Sequence, residues 1–131
     1  MLTVYLANNI QKRAEVQFTA IDLLQRQVAV NSRWIWGDET KATSTEEDKL
    51  RHAKEDMEDV EAAEVLVYFA DTDKIGLGKH IELGIALALR KTVFIVGKPS
   101  RDSVFFRLVP ESNWVDNVEE LMREFGDQGL V

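Results

Sequence analysis

The run Gly76-Leu77-Gly78-Lys79-His80-Ile81-Glu82-Leu83-Gly84 gathers the residues of this chain best suited to chemistry. It follows an apolar stretch, Val65 to Ala70, that reads as a strand, and it opens an apolar helix reaching about Arg90. Strand, glycine-bearing loop and helix in that order make half of a βαβ unit, whose ligand site lies at the strand's carboxyl end. Glu82 is expected in the first turn of the helix, where unpaired N–H groups and the positive end of the dipole favour an ionised carboxylate. Such a carboxylate beside small residues is a usable nucleophile. Gly78 and Gly84, without a Cβ, would let a flat ligand approach the backbone.

An acidic pair, Asp56 and Asp59, is spaced three residues apart on the preceding helix. That helix feeds the same strand that the Glu82 helix leaves. If Asp56 lies on the sheet-facing flank, both carboxylates approach one crevice. Two carboxyls about 5 Å apart across a glycosidic bond suit double displacement, one as nucleophile and the other as acid and base. Each also has a plainer reading, a solvated helix face for the aspartates and a dipole preference for the glutamate.

Other side chains carry paired readings. Arg33, at the end of a strand beside Trp34 and Trp36, could meet an anionic substrate or pair with one of the many acids. The indoles are core or interface residues as readily as stacking platforms. His80 could shuttle a proton near its unperturbed pKa or hydrogen-bond a loop carbonyl. Tyr5 reaches the crevice only if it sits late in its strand; otherwise it is a buried ring with one hydrogen bond. Gly76-Leu77-Gly78 is a weak phosphate-cradle signal, because the third glycine of the dinucleotide fingerprint is missing and no Walker lysine pattern follows.

The elements that must position these groups alternate. Leu2 to Ala7 is a strand apolar on both faces. A helix from about Lys12 to Val28 buries Val16, Ala20, Leu23, Leu24 and Val28. The stretch Val28 to Trp36 reads as a second strand, and Gly37 to Thr43 as a loop. Ser44 and Glu47 have capping-box spacing for a helix to about Ala63 with a buried stripe of Leu50, Ala53, Met57 and Val60. Val65 to Ala70 is apolar enough for a central strand, and Asp71 to Ile75 is a loop. Thr92 to Gly97 is a fourth strand, a short fifth falls near Trp114, and Asp116 to Phe125 closes the chain as an amphipathic helix. The pattern predicts one α/β domain over residues 1–131, a flavodoxin-like open parallel sheet of four to five strands with helices on both faces.

Bulk properties narrow the function. At 131 residues the chain can bury a proper core, and a net charge of −7 without a basic run longer than Gln11-Lys12-Arg13 argues against a nucleic-acid polymer as partner. The absence of cysteine excludes thiolate chemistry and Cys-ligated zinc, and two histidines make a His-rich metal site improbable. No apolar run approaches the roughly 18 residues of a membrane span, and the first residues do not form a leader, so a soluble cytoplasmic protein is expected.

Taken together, Val4-Tyr5-Leu6-Ala7, Ser32-Arg33-Trp34, Glu55-Asp56-Met57-Glu58-Asp59-Val60 and Gly78-Lys79-His80-Ile81-Glu82-Leu83-Gly84-Ile85-Ala86-Leu87-Ala88 resemble the nucleoside 2-deoxyribosyltransferase family, including its nucleotide-hydrolysing relatives. The resemblance covers the chain to about Gly97 and more weakly to Trp114. It implies that Glu82 attacks the anomeric carbon of a 2′-deoxyribose, that Asp56 protonates the departing base and that Tyr5 helps hold the nucleophile. By the same resemblance Ala7, Arg33, Trp34, Asp59, Gly78, His80 and Asn113 are substrate-binding candidates. Asp116 and Asn117 join Asn113 as C-terminal residues that a neighbouring copy could lend. Ser32, Arg33 and Ser100 are candidates for a 5′-phosphate.

The implied partners are a deoxynucleoside or deoxynucleotide and a free nucleobase, with no metal or organic cofactor and a homo-oligomeric assembly. The family pattern departs near Gly76, where Asp71 and Asp73 are only nearby and no base contact carries over. Transfer to a second base is favoured over hydrolysis. A non-catalytic nucleotide-binding module and an enzyme cleaving NAD or nucleotide sugars stand as competing readings.

Overall fold

The computed structural model describes residues 1–37, 44–70 and 76–131. Five strands lie parallel in one sheet: β1 (Thr3–Ala7), β2 (Ala29–Val30), β3 (Val65–Phe69), β4 (Thr92–Val96) and β5 (Trp114–Val115), in the order β2-β1-β3-β4-β5. Among the described residues four α-helices cover it: α1 (Arg13–Gln25), α2 (Glu46–Ala62), α3 (Leu77–Ala88) and α4 (Val118–Asp127). This is the flavodoxin-like strand order, and a ligand is expected where the order reverses, outside the carboxyl ends of β1 and β3.

The inner strands β1, β3 and β4 are buried on both faces, so their alternation sorts side chains between two helical layers rather than between core and water. Val4, Leu6, Val65, Val67, Phe69, Phe94 and Val96 pack with α1 and α4. Tyr5, Ala7, Leu66, Tyr68, Val93 and Ile95 pack on the other side with Leu83 and Ala86 of α3. The parity of β1 therefore decides that Tyr5 faces the layer built from α2 and α3.

Helices α1, α3 and α4 end alike. The N–H of Gln27 bonds to Leu24 O and that of Val28 to Leu23 O; Arg90 and Lys91 bond to Leu87 O and Ala86 O; Gly129 and Leu130 bond to Gly126 O and Phe125 O. Each is a Schellman closure with the pivotal residue left-handed, at φ 65° for Gln27, 59° for Arg90 and 72° for Gly129. Only the third uses glycine. Replacing Gln27 or Arg90 by glycine should stabilise the fold by about 0.5–1 kcal/mol each, because the Cβ penalty at positive φ disappears. Chemical denaturation of the single variants checks this.

Several expected boundaries shift. The second strand is only two residues long, and Arg33–Trp36 coil into a 3₁₀ turn instead. Ser32 Oγ accepts the Leu6 N–H at 2.7 Å, so a side chain replaces the ladder there and the strand ends. The capping box of α2 is one residue later than expected. Thr45 Oγ accepts the Asp48 N–H, and Asp48 accepts the Thr45 N–H, both at 3.1 Å. Leu24 is exposed, and Val28 is buried beyond the end of α1.

The largest correction concerns the face that α2 presents. Leu50, Ala53 and Met57 point to solvent, while Asp59 and Val60 are buried and His52 and Asp56 half-buried. The helix turns its polar stripe inward because that stripe finds partners there. Asn31 Nδ2 donates to Asp59 O at 2.8 Å, and Arg33 clasps the Asp59 carboxylate. The loop readings over 38–43 and 71–75, with Asp71 and Asp73, lie outside the described residues.

Candidate active site

A cleft of about 740 Å³ opens at the carboxyl edge of β1 and β3, between the start of α1, the middle of α2 and the start of α3. Asn8 and Asn9 line it from the end of β1, Arg33 and Trp34 from the 3₁₀ turn, Asp56 from α2, and Gly76, Gly78 and Glu82 from the start of α3. This size lies within the range of small-molecule sites. A Cβ at Gly76 would meet the side-chain amide of Asn9, which would have to shift.

Glu82 is the sixth residue of α3 and not in its first turn, so the free N–H groups of the helix end do not hold its carboxylate. Tyr5 does. Its hydroxyl donates a short hydrogen bond to Glu82 Oε2 across 77 residues of sequence, and both groups are buried. Tyr5 sits mid-strand, yet its hydroxyl still reaches the cleft floor, because the ring spans the distance from β1 to the helical layer. Asp56 faces the same cleft and makes no hydrogen bond or ion pair among the described residues.

Burial dominates the electrostatics. It raises the Glu82 carboxyl, and the charge of Asp56 raises it further, against the lowering hydrogen bond from Tyr5, leaving it at about 8. Burial, followed by the neighbouring Asp59 charge, pushes Asp56 up to about 6, with His52 opposing. Tyr5 is pushed well above the ordinary phenol range, first by burial and then by Glu82, so it stays a donor. Removing that donor in Tyr5→Phe should raise Glu82 further and leave less of it ionised near neutrality. A charge-assisted bond of this kind predicts a fall of about 10–100-fold in activity at pH 7, with the basic limb of the profile moved up. A kcat/KM profile of that variant is the check.

The other expected site residues divide. Arg33 and Trp34 reach the cleft, but Arg33 is already committed: its Nε donates to Asp59 at 3.0 Å, its backbone N–H does so too at 3.0 Å, and its Nη2 reaches Glu58 at 3.0 Å. These bonds raise its basicity further. Asp59 lies buried behind the cleft and acts on Arg33. Trp34 donates its indole N–H to Leu6 O at 2.9 Å, an anchoring role that leaves its ring on the wall. Gly78 lines the cleft with open space above its Cα, whereas Gly84 lies on the exposed side of α3.

Ala7 is the last residue of β1, fully buried beneath the cleft. His80 lies outside the cleft lining, sharing a 3.1 Å hydrogen bond with the Tyr68 hydroxyl; partial burial and the Lys79 charge lower its pKa. Asn113 does not line the cleft; it is buried, donating to Val93 O at 2.9 Å and accepting from Gln128 at 2.7 Å. Of the two serines considered for phosphate, neither lines the cleft: Ser32 is buried against β1, and Ser100 lies in the exposed loop after β4.

Lys79 was not singled out from sequence. It is buried, lines the cleft, donates to Phe69 O at 2.8 Å and stands 4.9 Å above the Tyr68 ring. Its i, i+3 relation to Glu82 was the available signal. His52 likewise shares a face with Asp56 at i, i+4, and Arg13 and Arg51 complete the basic wall.

A flavodoxin-like α/β fold with a tyrosine-held, buried glutamate and a second carboxyl in one cleft defines the class of protein. The family profile described as nucleoside 2-deoxyribosyltransferase matches residues 4–126, and the chain belongs to that family. No curated protein matches the sequence. Among solved structures, a conserved protein from Enterococcus faecalis is similar at 18% identity with a TM-score of 0.70, covering 98% of this chain and 99% of that one. The 2-deoxyribosyltransferase from Bacillus psychrosaccharolyticus aligns at 18% identity and a TM-score of 0.70, over 91% and 89% of the two chains. The CMP N-glycosidase of Clostridium botulinum aligns at 17% identity and 0.64, over 95% and 98%. At these identities the likeness shows the shared fold. No described helix is long and apolar enough to cross a membrane.

Proposed function

We propose that this protein cleaves the N-glycosidic bond of 2′-deoxynucleosides through Glu82 and passes the deoxyribosyl group to a second base. The observation that carries this reading is the buried hydrogen bond from Tyr5 to Glu82 in a cleft shared with Asp56. The Glu82 carboxylate attacks C1′, the C1′–N bond breaks, and its electron pair stays on the base nitrogen, which takes the proton of Asp56. A deoxyribosyl ester on Glu82 remains. An incoming base nitrogen then attacks C1′, returns its proton to Asp56 and frees Glu82; water in its place gives hydrolysis. Lacking a 2′-hydroxyl, the sugar reaches an oxocarbenium-like transition state readily, so two carboxyls in a partly dry cleft suffice. Membership of the family and the two enzymes of like fold support the reaction class.

The reaction uses the form in which Asp56 holds the one proton of the pair and Glu82 is ionised, the minor of the two one-proton forms, since Glu82 at about 8 holds a proton more tightly than Asp56 at about 6. Below about pH 6 both are protonated and the nucleophile is lost; above about pH 8 both are ionised and the acid is lost. A bell-shaped kcat/KM profile centred near pH 7 is expected, its limbs belonging to the pair rather than to either residue.

The reading also carries a cytoplasmic, homo-oligomeric enzyme. Leu50 and Met57 on α2 and Leu77 and Ile81 on α3 are outward-facing apolar residues that support an assembly; light scattering after size exclusion tests it. Chromatography of products from deoxyinosine or its 5′-monophosphate, with and without adenine or cytosine, tests the reaction. A new deoxynucleoside formed only with acceptor is the expected result. Free base released at the same rate without acceptor would make the protein a hydrolase, and saturable binding without product would make it a binding module.

A further inference from the structure

The productive form of the carboxyl pair carries its proton on Asp56, although burial favours Glu82 as the holder. One feature already opposes that bias: the Tyr5 hydroxyl donates to Glu82 and favours its ionised form. A second stands one turn further along α2. Asp59 is buried, three residues after Asp56, a spacing that puts side chains about 5–6 Å apart on one helix face. Its carboxylate accepts the Arg33 backbone N–H and Nε, each at 3.0 Å, and Arg33 Nη2 stands 2.9 Å from it. Arg33 also reaches Glu58 at 3.0 Å, so its charge is shared between two acids.

Fixed in this way, Asp59 presents a steady negative charge to Asp56, which makes no hydrogen bond or ion pair among the described residues. A half-buried carboxyl beside a like charge, with no donor to favour its ionised form, keeps its proton. Asp56 is faced by His52, Glu55 and Asp59 on its own helix, by Arg33 from the 3₁₀ turn, by Glu82 from α3 and by Tyr5 from β1. The cations Arg13, Arg51 and Lys79 lie along the same lining. After burial, Asp59 has the largest effect on Asp56, raising it against smaller lowering effects of His52 and Arg33, whereas the charge that raises Glu82 is that of Asp56 itself. The clasp therefore acts on one member of the pair.

Resting on the roles given to Glu82 and Asp56, we propose that Asp59, its carboxylate held by Arg33, is a positioning residue that keeps the proton of the pair on Asp56 and so enlarges the share of enzyme ready to react. Asp59 acts through Asp56 and touches neither sugar nor base; Arg33 supplies the bonds that keep it in place. The effect is confined to the pH range in which Asp56 would otherwise lose its proton. In more acid solution Asp56 is protonated with or without Asp59, and the rate follows the ionisation of Glu82 alone.

The test is the kcat/KM profile of Asp59→Asn on a deoxynucleoside, beside that of the wild type. The acid limb should move down by about one pH unit and activity should fall about tenfold at pH 7 and above, while below about pH 5 the two enzymes should agree. A deoxyriboside whose leaving group departs without a proton should be cleaved about equally by both at about pH 9. In Arg33→Gln, which removes the cation and keeps the backbone donor to Asp59, the acid limb should move up instead, and its direction decides should Asp59→Asn fail to fold by circular dichroism. A uniform loss at every pH, or an acid limb that stays in place, overturns the proposal and leaves the glycosidic reaction standing. If the wild type cleaves no deoxynucleoside, the reaction falls and carbon NMR titration of the Asp56 carboxyl decides: a lower midpoint in Asp59→Asn supports the role of Asp59, and an unchanged one overturns it.

Discussion

Glu82→Gln is expected to lower kcat/KM for base release by on the order of 10⁴–10⁶, with the fold retained, because the amide keeps the shape of the side chain but cannot form the glycosyl ester. The same substitution should stabilise the protein in alkaline solution. Burial raises the folded-state pKa of Glu82 to about 8, above its ordinary 4.5. The stability that the neutral carboxyl contributes is therefore full below about 4.5 and is lost as the pH rises through about 8. Glutamine does not ionise and loses nothing over that window. Near pH 9 the variant should be more stable than the wild type by about 1–3 kcal/mol, a Tm increase of several degrees, while at pH 5 the difference should nearly vanish. Melting curves at the two pH values read it directly. Activity and stability moving in opposite directions would identify a group held in its buried place for chemistry rather than for the fold.

Asp56→Asn should reduce kcat/KM on natural deoxynucleosides by about 10²–10⁴, the usual contribution of a positioned general acid. Two further readouts separate this role from a structural one. A deoxyriboside whose leaving group departs without a proton should lose far less. The bell should also become a single rise set by the ionisation of Glu82, below its value beside a charged Asp56 because asparagine removes that charge, and the basic limb should vanish. The fold should tolerate the change, since Asp56 makes no hydrogen bond or ion pair among the described residues and lies half-exposed at the cleft. The adjacent Asp59 behaves differently: its carboxylate anchors Arg33, so its loss would act through the wall of the cleft and the proton on Asp56.

Sequence periodicity carried most of the architecture. Strands with apolar residues on both faces could only be the inner strands of a parallel sheet, and β1, β3 and β4 stand where Val4, Val65 and Val93 placed them. The second strand was not legible, because its apolar letters, Trp34 and Ile35, pack from a 3₁₀ turn and the intervening Ser32 replaces a ladder bond with its hydroxyl. The α2 stripe was misread for a related reason. Leu50, Ala53 and Met57 keep helical spacing, but the alternative stripe of His52, Asp56 and Asp59 is equally periodic, and only the tertiary partners Asn31 and Arg33 decide which faces inward.

Within the site, the meeting of Tyr5 and Glu82 rests on strand parity and a helix crossing that span 77 residues, which no local pattern contains. Glu82 was legible through its glycine-bearing run. Its placement past the first turn was not, because the helix starts at Leu77 rather than beside Ile81. Lys79 and Arg51 escaped notice as ordinary surface-type cations, although one is buried and both line the cleft.

The most direct measurement is intact-protein mass spectrometry of the enzyme quenched during turnover of a deoxynucleoside or its monophosphate, followed by peptide mapping. The account predicts a transient adduct of one deoxyribosyl unit, phosphorylated when the monophosphate is used, carried by the peptide containing Glu82 and absent from Glu82→Gln. Steady turnover with no adduct on that peptide at any quench time, or undiminished base release by Glu82→Gln, would contradict it.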